Sequence, residues 1–317
     1  MELVALYKRV IGLDIHQAQI TACALIEEPD GSARIEQRQF GAFKRDRREL
    51  ADWVSSLRPD EVVMESTGIY WKSPYAALEA IGIRAKVVNA RHVKNVPGRK
   101  TDVGDAHWLA TLARAGLLRG SFVPSAKLRE LRLIARQRQK LVGQLASEKN
   151  RLHKVLTDSG VRLGVVVSDL HGQSARAMVK AIIAGQSPQE VLKLASRRLK
   201  ASREEIFDAL QGDLTASHRF VLDELMRHIE EIEARIARFD TRLLAELADA
   251  AHDDVLDQGG AKQAPDQREQ RRERELEEAQ RILAEPGFGY SFGEAAAADG
   301  GLVVEPTVTG VTTGLRD

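Results

Sequence analysis

Residues 9–16 read RVIGLDIH, and this stretch decides the fold. Val10, Ile11 and Leu13 form an apolar run rich in β-branched residues, which is typical of a buried strand, and the run ends on Asp14. A carboxylate that closes an apolar strand is costly to bury unless a partner compensates its charge, and a metal ion is one such partner. An aspartate that caps a turn is the plainer interpretation of this residue taken alone.

Three more acids follow at comparable places. The apolar run EVVM ends on Glu65, and KTDVGDAHWLA, residues 100–110, places Asp102 and Asp105 three residues apart at a predicted helix start, where they share a face. Acids in a first helical turn also favour the helix dipole, so either one alone would be ordinary. Because ligands gather at the carboxyl ends of strands in open α/β sheets, the set predicts a metal site. Hard oxygen ligands suit Mg²⁺, for which Mn²⁺ can substitute.

The segments around these acids predict an α/β fold with a mixed sheet. Three strand-like runs in succession, with the turn signal Pro-Asp-Gly before the third, predict an antiparallel meander. The alternation of strands and helices that follows predicts parallel strands. The predicted elements are strands at 10–13, 19–26 and 34–40, a helix at 50–57, a strand at 61–64, a helix at 74–81 and a strand at 85–88.

GLDIH, MESTGIYW at 64–71 and KTDVGDAHWLA together resemble the IS110-type (IS110/IS1111) insertion-sequence transposases. The resemblance runs from about Arg9 to Leu247 and implies a RuvC-like, RNase H-type domain. It implies metal-dependent cleavage and exchange of DNA strands in a bacterial cytoplasm. Some members are directed by a structured RNA, so a guide RNA is a further implied partner. The family's acidic tetrad falls on Asp14, Glu65, Asp102 and Asp105, the residues we predict to be catalytic and metal-binding.

Basic residues are concentrated in two stretches, although the formal net charge is only +1. Residues 119–154 carry ten Lys and Arg against two acids, an excess of +8, and residues 84–102 form a basic stretch between the acids. Clustered cations bind phosphate backbones, and a solvated basic surface is the alternative. The residues predicted to bind nucleic acid are Arg91, Lys94, Arg99, Lys100, Arg129, Arg132, Arg136, Arg138 and Lys140.

Four regions are predicted along the chain: a RuvC-like domain at 1–124, a helical coiled-coil region at 125–250 and a charged linker at 251–281. The fourth, at 282–317, is a remnant of the C-terminal transposase domain that the resemblance implies. Apolar residues from Leu222 to Leu243 alternate steps of three and four, which predicts a coiled coil and a homo-oligomer, either a dimer or a tetramer. The single Cys23 excludes an internal disulfide and a cysteine-based zinc site. No signal peptide or membrane span is visible, so we expect an intracellular protein.

RILAEPGFG, residues 281–289, resembles the start of the family's C-terminal transposase domain, and the likeness stops after it. No residue can be assigned to the catalytic serine of that domain. We therefore expect a truncated or frame-shifted copy whose own recombination activity is in doubt.

Three other functions are compatible with parts of the sequence. A RuvC-like structure-specific nuclease would use the same four acids, and a nucleic-acid-binding remnant would use none of them. A sugar-kinase-like ATPase is disfavoured, because His16 stands where that motif needs glycine. His16 and His107 flank the acids either as ligands or proton carriers or, more simply, as structural histidines.

Overall fold

The computed structural model describes residues 5–65, 68–94, 104–252, 270, 273–274, 277, 281, 290–291 and 307–308. These residues form two compact units, the first up to Ala126 and the second from Lys127 onward. Most of the predicted linker at 251–281 and of the predicted C-terminal segment at 282–317 lies outside the described residues. Among the helices described here, none has the combination of length and apolar character that spanning a membrane requires.

The first unit is built on a five-stranded sheet with the strand order β3-β2-β1-β4-β5. The strands β1, β2 and β3 are antiparallel neighbours, whereas β4 and β5 run parallel to β1. The predicted mixed sheet is therefore confirmed. The strands are β1 (Arg9–Ile15), β2 (Gln19–Glu27), β3 (Ala33–Gly41), β4 (Glu61–Glu65) and β5 (Lys86–Val88). The helices of this unit are α1 (Lys44–Leu57), α2 (Lys72–Glu79), α3 (Ala90–Lys94) and α4 (Asp105–Arg114).

Side chains alternate between the two faces of β1, and each face packs against different helices. Ile11 and Leu13 lie in a core that includes Leu50 of α1 and Leu78 of α2. Val10, on the opposite face, packs with residues of α4 that include Leu109. Both faces of the central strands are buried, which explains why β1 and β4 are apolar runs rather than alternating ones.

Gly12 is the point of closest approach between β1 and α4. A Cβ atom at this position would overlap the carbonyl oxygen of Ala106 and lie 2.6 Å from the amide nitrogen of Ala110. The amides of Leu6 and Tyr7, just before β1, donate hydrogen bonds of 2.7 and 3.2 Å to the Arg114 carbonyl at the end of α4. The helix therefore runs antiparallel to β1, and it begins at the edge where β1 ends.

The second unit is organised by two long helices, α5 (Ala126–Asp158) and α10 (Ala216–His252). Ion pairs join Lys127 to Glu246 and Lys149 to Glu233, and His218 Nε2 lies 3.1 Å from Asp158 Oδ2, so the helices are antiparallel neighbours. Four short helices pack around one end of the pair, in a core that includes buried residues of α5 and α10. They are α6 (Leu163–Val166), α7 (Gln173–Ile183), α8 (Pro188–Leu192) and α9 (Arg203–Ala209). Farther along the chain, β6 (Tyr290–Ser291) pairs with β7 (Thr307–Val308).

The seam predicted from Leu222 to Leu243 is only partly buried. Leu222, Ile229 and Ile232 are at most 1% exposed, whereas Ile236 and Phe239 are half-buried. Leu222 and Ile229 are buried where the short helices add their side chains, and Leu243, at the other end of the seam, is buried against α5. The coiled coil and the oligomer that it would support stay predictions.

A charged layer lies between α5 and α10. Arg138 is 1% exposed, and its guanidinium forms an ion pair and hydrogen bonds with Asp240. A buried charge that loses its partner is strongly destabilising, whereas a pair can often be replaced by apolar residues at little cost. The pair therefore connects one turn of α5 to one turn of α10 and fixes the register of the two helices.

We predict that Gly12→Ala destabilises the first unit by about 3 kcal/mol, because the added methyl group meets backbone atoms of α4 that cannot rotate away. All three tryptophans lie in this unit, so their fluorescence during urea unfolding measures its stability. Gly143→Ala on α5 is the control, since a Cβ there meets no described atom within 4 Å. An unchanged fluorescence midpoint in Gly12→Ala would contradict the close packing.

We also predict that Asp240→Ala costs about 2–3 kcal/mol of unfolding free energy, because it removes a carboxylate that pairs with the buried guanidinium of Arg138. The double change Arg138→Met and Asp240→Leu should recover most of this loss. Circular dichroism during urea unfolding measures both effects. Asp223→Ala removes an exposed partner of Arg227 on the same helix and should cost less than about 0.5 kcal/mol. Equal losses of unfolding free energy in the two single variants would contradict a larger contribution from the buried pair.

Candidate active site

Asp14 and Glu65 lie side by side at the carboxyl ends of two neighbouring parallel strands. The register pairs Gly12 with Val63 and Leu13 with Met64, so the next residues along both strands are the two acids. Adjacent strands are separated by about 4.8 Å, which brings the two residues within reach of a shared ligand. Both side chains are half-buried, and alternation places them on the sheet face that α4 covers.

Asp105 approaches the same edge from the helix. It is the first residue of α4, and Gly104 precedes it at the N-cap with an extended backbone (φ −60°, ψ 150°). Because α4 runs antiparallel to β1 and crosses it at Gly12, its first turn lies toward the end of β1 that carries Asp14. The fold thus directs three of the four predicted acids to one edge of the sheet.

Asp102, the fourth predicted acid, lies outside the described residues. The predicted helix begins only at Asp105, so it does not extend back through the extended Gly104. Within the described residues, no three His, Cys, Asp or Glu side chains form a group that could hold a metal ion. Asp14, Glu65 and Asp105 are thus the members of the predicted acidic set that the structure describes.

The turn that follows β1 and the loop that follows β4 contact each other. His16 Nε2 lies 3.1 Å from Asp14 Oδ2, although the imidazole is 59% exposed. The hydroxyl of Tyr70 donates to Gln17 Oε1 at 3.4 Å, which joins the two connections that follow Asp14 and Glu65. His107 lies in α4 and is half-buried. Of the two flanking histidines, His16 contacts Asp14, a predicted site residue that the structure describes.

Cys23 lies beneath the site but is unsuited to act as a nucleophile. It is fully buried in a small cluster with Ala106 and Ala110 of α4. Burial raises the pKa of its thiol above the ordinary value, and the weak hydrogen bond from Gln37 only partly opposes this effect. The thiol therefore stays protonated at neutral pH. Oxygen ligands dominate this edge of the sheet.

The predicted nucleic-acid-binding residues fall into three groups. Arg91 and Lys94 lie in α3, which follows β5, and Arg99 and Lys100 lie outside the described residues. On α5, Arg136 and Lys140 are exposed, whereas Arg129 and Arg132 are half-buried and make further interactions.

Arg138 requires a correction. It is buried in the ion pair with Asp240, so its guanidinium is not accessible to a nucleic acid in this structure. Of the five basic residues on α5 that are predicted to bind nucleic acid, Arg138 is the one that is buried against α10.

Gly12 was not among the predicted site residues, yet it allows α4 to approach the strand that carries Asp14. The signal that could have identified it is a glycine inside an apolar strand, which often marks the close approach of another backbone.

A family model described as a transposase, that of the DEDD transposases of IS110, matches residues 11–160. No curated protein matches the chain. Thermus thermophilus RuvC is similar with 13% identity and a TM-score of 0.28, covering 36% of this chain and 99% of RuvC. The same protein in complex with a Holliday junction substrate has 12% identity, a TM-score of 0.27 and the same coverage. A Ppx/GppA family member from Aquifex aeolicus has 10% identity and a TM-score of 0.21, and the match covers 27% of this chain and 37% of the Aquifex aeolicus chain. Structural likeness at these values carries no functional argument.

Proposed function

We propose that this chain is a DNA transposase with a metal-dependent active site at the carboxyl ends of β1 and β4, because residues 11–160 match the model of the IS110 DEDD transposases. The observation that carries the proposal is the register that sets Asp14 beside Glu65. In this proposal residues 1–124 form the catalytic domain, and residues 125–250 form its helical extension.

The donor set fits a hard divalent cation. Carboxylates that are held together repel one another and take up protons unless a cation lies between them. Asp14 and Glu65 are half-buried, so water screens them less than it screens surface acids. Oxygen ligands of this kind prefer Mg²⁺ or Mn²⁺. We propose Asp14, Glu65, Asp102 and Asp105 as the ligands.

When bound, such cations activate a nucleophile and stabilise the leaving oxygen in phosphoryl transfer. The chain itself contributes position. The two strand ends hold Asp14 and Glu65 on a rigid sheet, and the contact between β1 and α4 at Gly12 orients the first turn that carries Asp105. His16, next to Asp14, adds a polar group at the edge of the site.

We propose DNA as the substrate, and the cations of the chain as the groups that hold its backbone. Arg91 and Lys94 follow β5, the strand next to β4, so α3 places them on a connection at the carboxyl edge of the sheet. Arg136 and Lys140 are exposed on α5 and available to phosphates. A guide RNA and a homo-oligomer are implied by the family and belong to the same proposal.

We expect Mg²⁺ or Mn²⁺ to raise the melting temperature of the full chain, because a ligand that binds only the folded state stabilises that state. At a ligand concentration 100 times its Kd, the unfolding free energy rises by about 2.7 kcal/mol. Asp14→Asn should lose this shift together with metal-dependent cleavage of supercoiled or branched DNA. Asp52→Asn, which changes an exposed aspartate of α1, is the matched control and should behave as the wild type.

The two readouts separate the parts of the proposal. Metal stabilisation without cleavage would keep the metal site and contradict the nuclease activity of this chain. An equal response of Asp14→Asn and Asp52→Asn to metal would show that the acids do not form a shared site, and the proposed function would fall.

A further inference from the structure

The second half of α10 exposes an unusual set of side chains. Across residues 234–245, all of which the structure describes, the exposed positions are three arginines and four small residues, and no exposed position is acidic. We call this surface the arginine stripe. Its members are Ala234, Arg235, Ala237, Arg238, Thr241, Arg242 and Ala245.

The first half of the same helix has a different surface. There Arg227 pairs with Asp223 at 2.5 Å and with Glu224 at 3.7 Å, and His228 lies 3.9 Å from Glu231. Exposed charges in that half therefore largely neutralise one another along the helix, as expected for a solvated face. Within the arginine stripe, Arg242 alone pairs in this way among the described residues, and its partner Glu246 is itself buried.

Two of the three arginines have no partner among the described residues. Arg242 pairs with Glu246, whereas neither Arg235 nor Arg238 forms an ion pair or a hydrogen bond with any residue that the structure describes. They are three residues apart, so they are neighbours on one face of the helix, with about 5–6 Å between their Cβ atoms. The neighbouring alanine and threonine side chains are short, so an extended partner can approach the helix closely.

We propose that the arginine stripe binds the phosphate backbone of duplex DNA. The argument is charge complementarity: two guanidiniums without a partner among the described residues, on a segment whose exposed positions carry no acid, fit a polyanion. The planar guanidinium binds phosphate oxygens in bidentate fashion. The stripe would add a contact on a helix that the predicted nucleic-acid-binding residues do not include. The inference rests on the proposed DNA transposase function, and it concerns binding rather than the carboxylate chemistry.

The test compares two double variants of the full chain that remove the same charge from the second unit. Arg235→Gln with Arg238→Gln removes the unpaired arginines, and glutamine keeps nearly the same helix propensity. Arg197→Gln with Arg198→Gln removes two exposed arginines between α8 and α9. Affinity for a short DNA duplex and for an RNA duplex of the same sequence is measured against salt concentration, in EDTA.

For DNA, loss of two phosphate contacts should make the slope of log Kobs against log salt shallower by about 2 in the first variant and leave it unchanged in the second. Equal changes in both variants would reduce the effect to net charge and overturn the inference. A change seen with RNA alone would overturn the choice of DNA.

Asp14→Asn keeps the failures apart. If it abolishes metal-dependent cleavage while Arg235→Gln with Arg238→Gln binds DNA with the wild-type slope, the proposed function stands and the arginine stripe does not. If Asp14→Asn cleaves normally and the stripe variant has the shallower slope, the arginine stripe stands and the proposed function does not. Circular dichroism of each variant verifies that it is folded.

Discussion

The close packing of α4 on β1 at Gly12 is the constraint on which the candidate site depends. A side chain at this position would collide with backbone atoms of Ala106 and Ala110, so the helix could not lie so near the strand. Two residues later β1 presents Asp14, and one residue before Ala106 the helix presents Asp105. A single glycine thus determines the separation between elements that bring carboxylates to the same edge.

Much of the first unit could be predicted from sequence, because its strands are short apolar runs with clear turn signals between them. The runs that end on Asp14 and Glu65 predicted two parallel strands, and the register confirms that they are neighbours. Acids at strand ends are informative because burial of a carboxylate is costly, so a chain that keeps one there has a physical reason to do so. The sequence could not show how near α4 would lie, since that distance depends on a contact between residues 12 and 106.

In the second unit, the sequence predicts the long helices but not the environment of each charged side chain on them. A helical pattern predicted α5 and α10, but the pattern treats every cation on a helix alike. Arg138 and Arg136 differ by two positions in a basic run, yet the first is buried against Asp240 and the second is exposed. Only the partner helix, about 100 residues away, distinguishes them. Arg235 and Arg238 were overlooked for a related reason, because nearby acids in the sequence hide the fact that the exposed positions among them carry none.

The near-zero net charge of the chain conceals local clusters of acids and of cations, which the proposed phosphate chemistry would use. A metal site needs carboxylates held together, whereas a phosphate backbone needs cations without acidic partners. This chain carries the acids at the end of a rigid sheet in its first unit, and it exposes Arg136, Lys140, Arg235 and Arg238 on long helices of its second. The buried pair of Arg138 and Asp240 fixes the register of those helices and thereby the position of their exposed arginines along them.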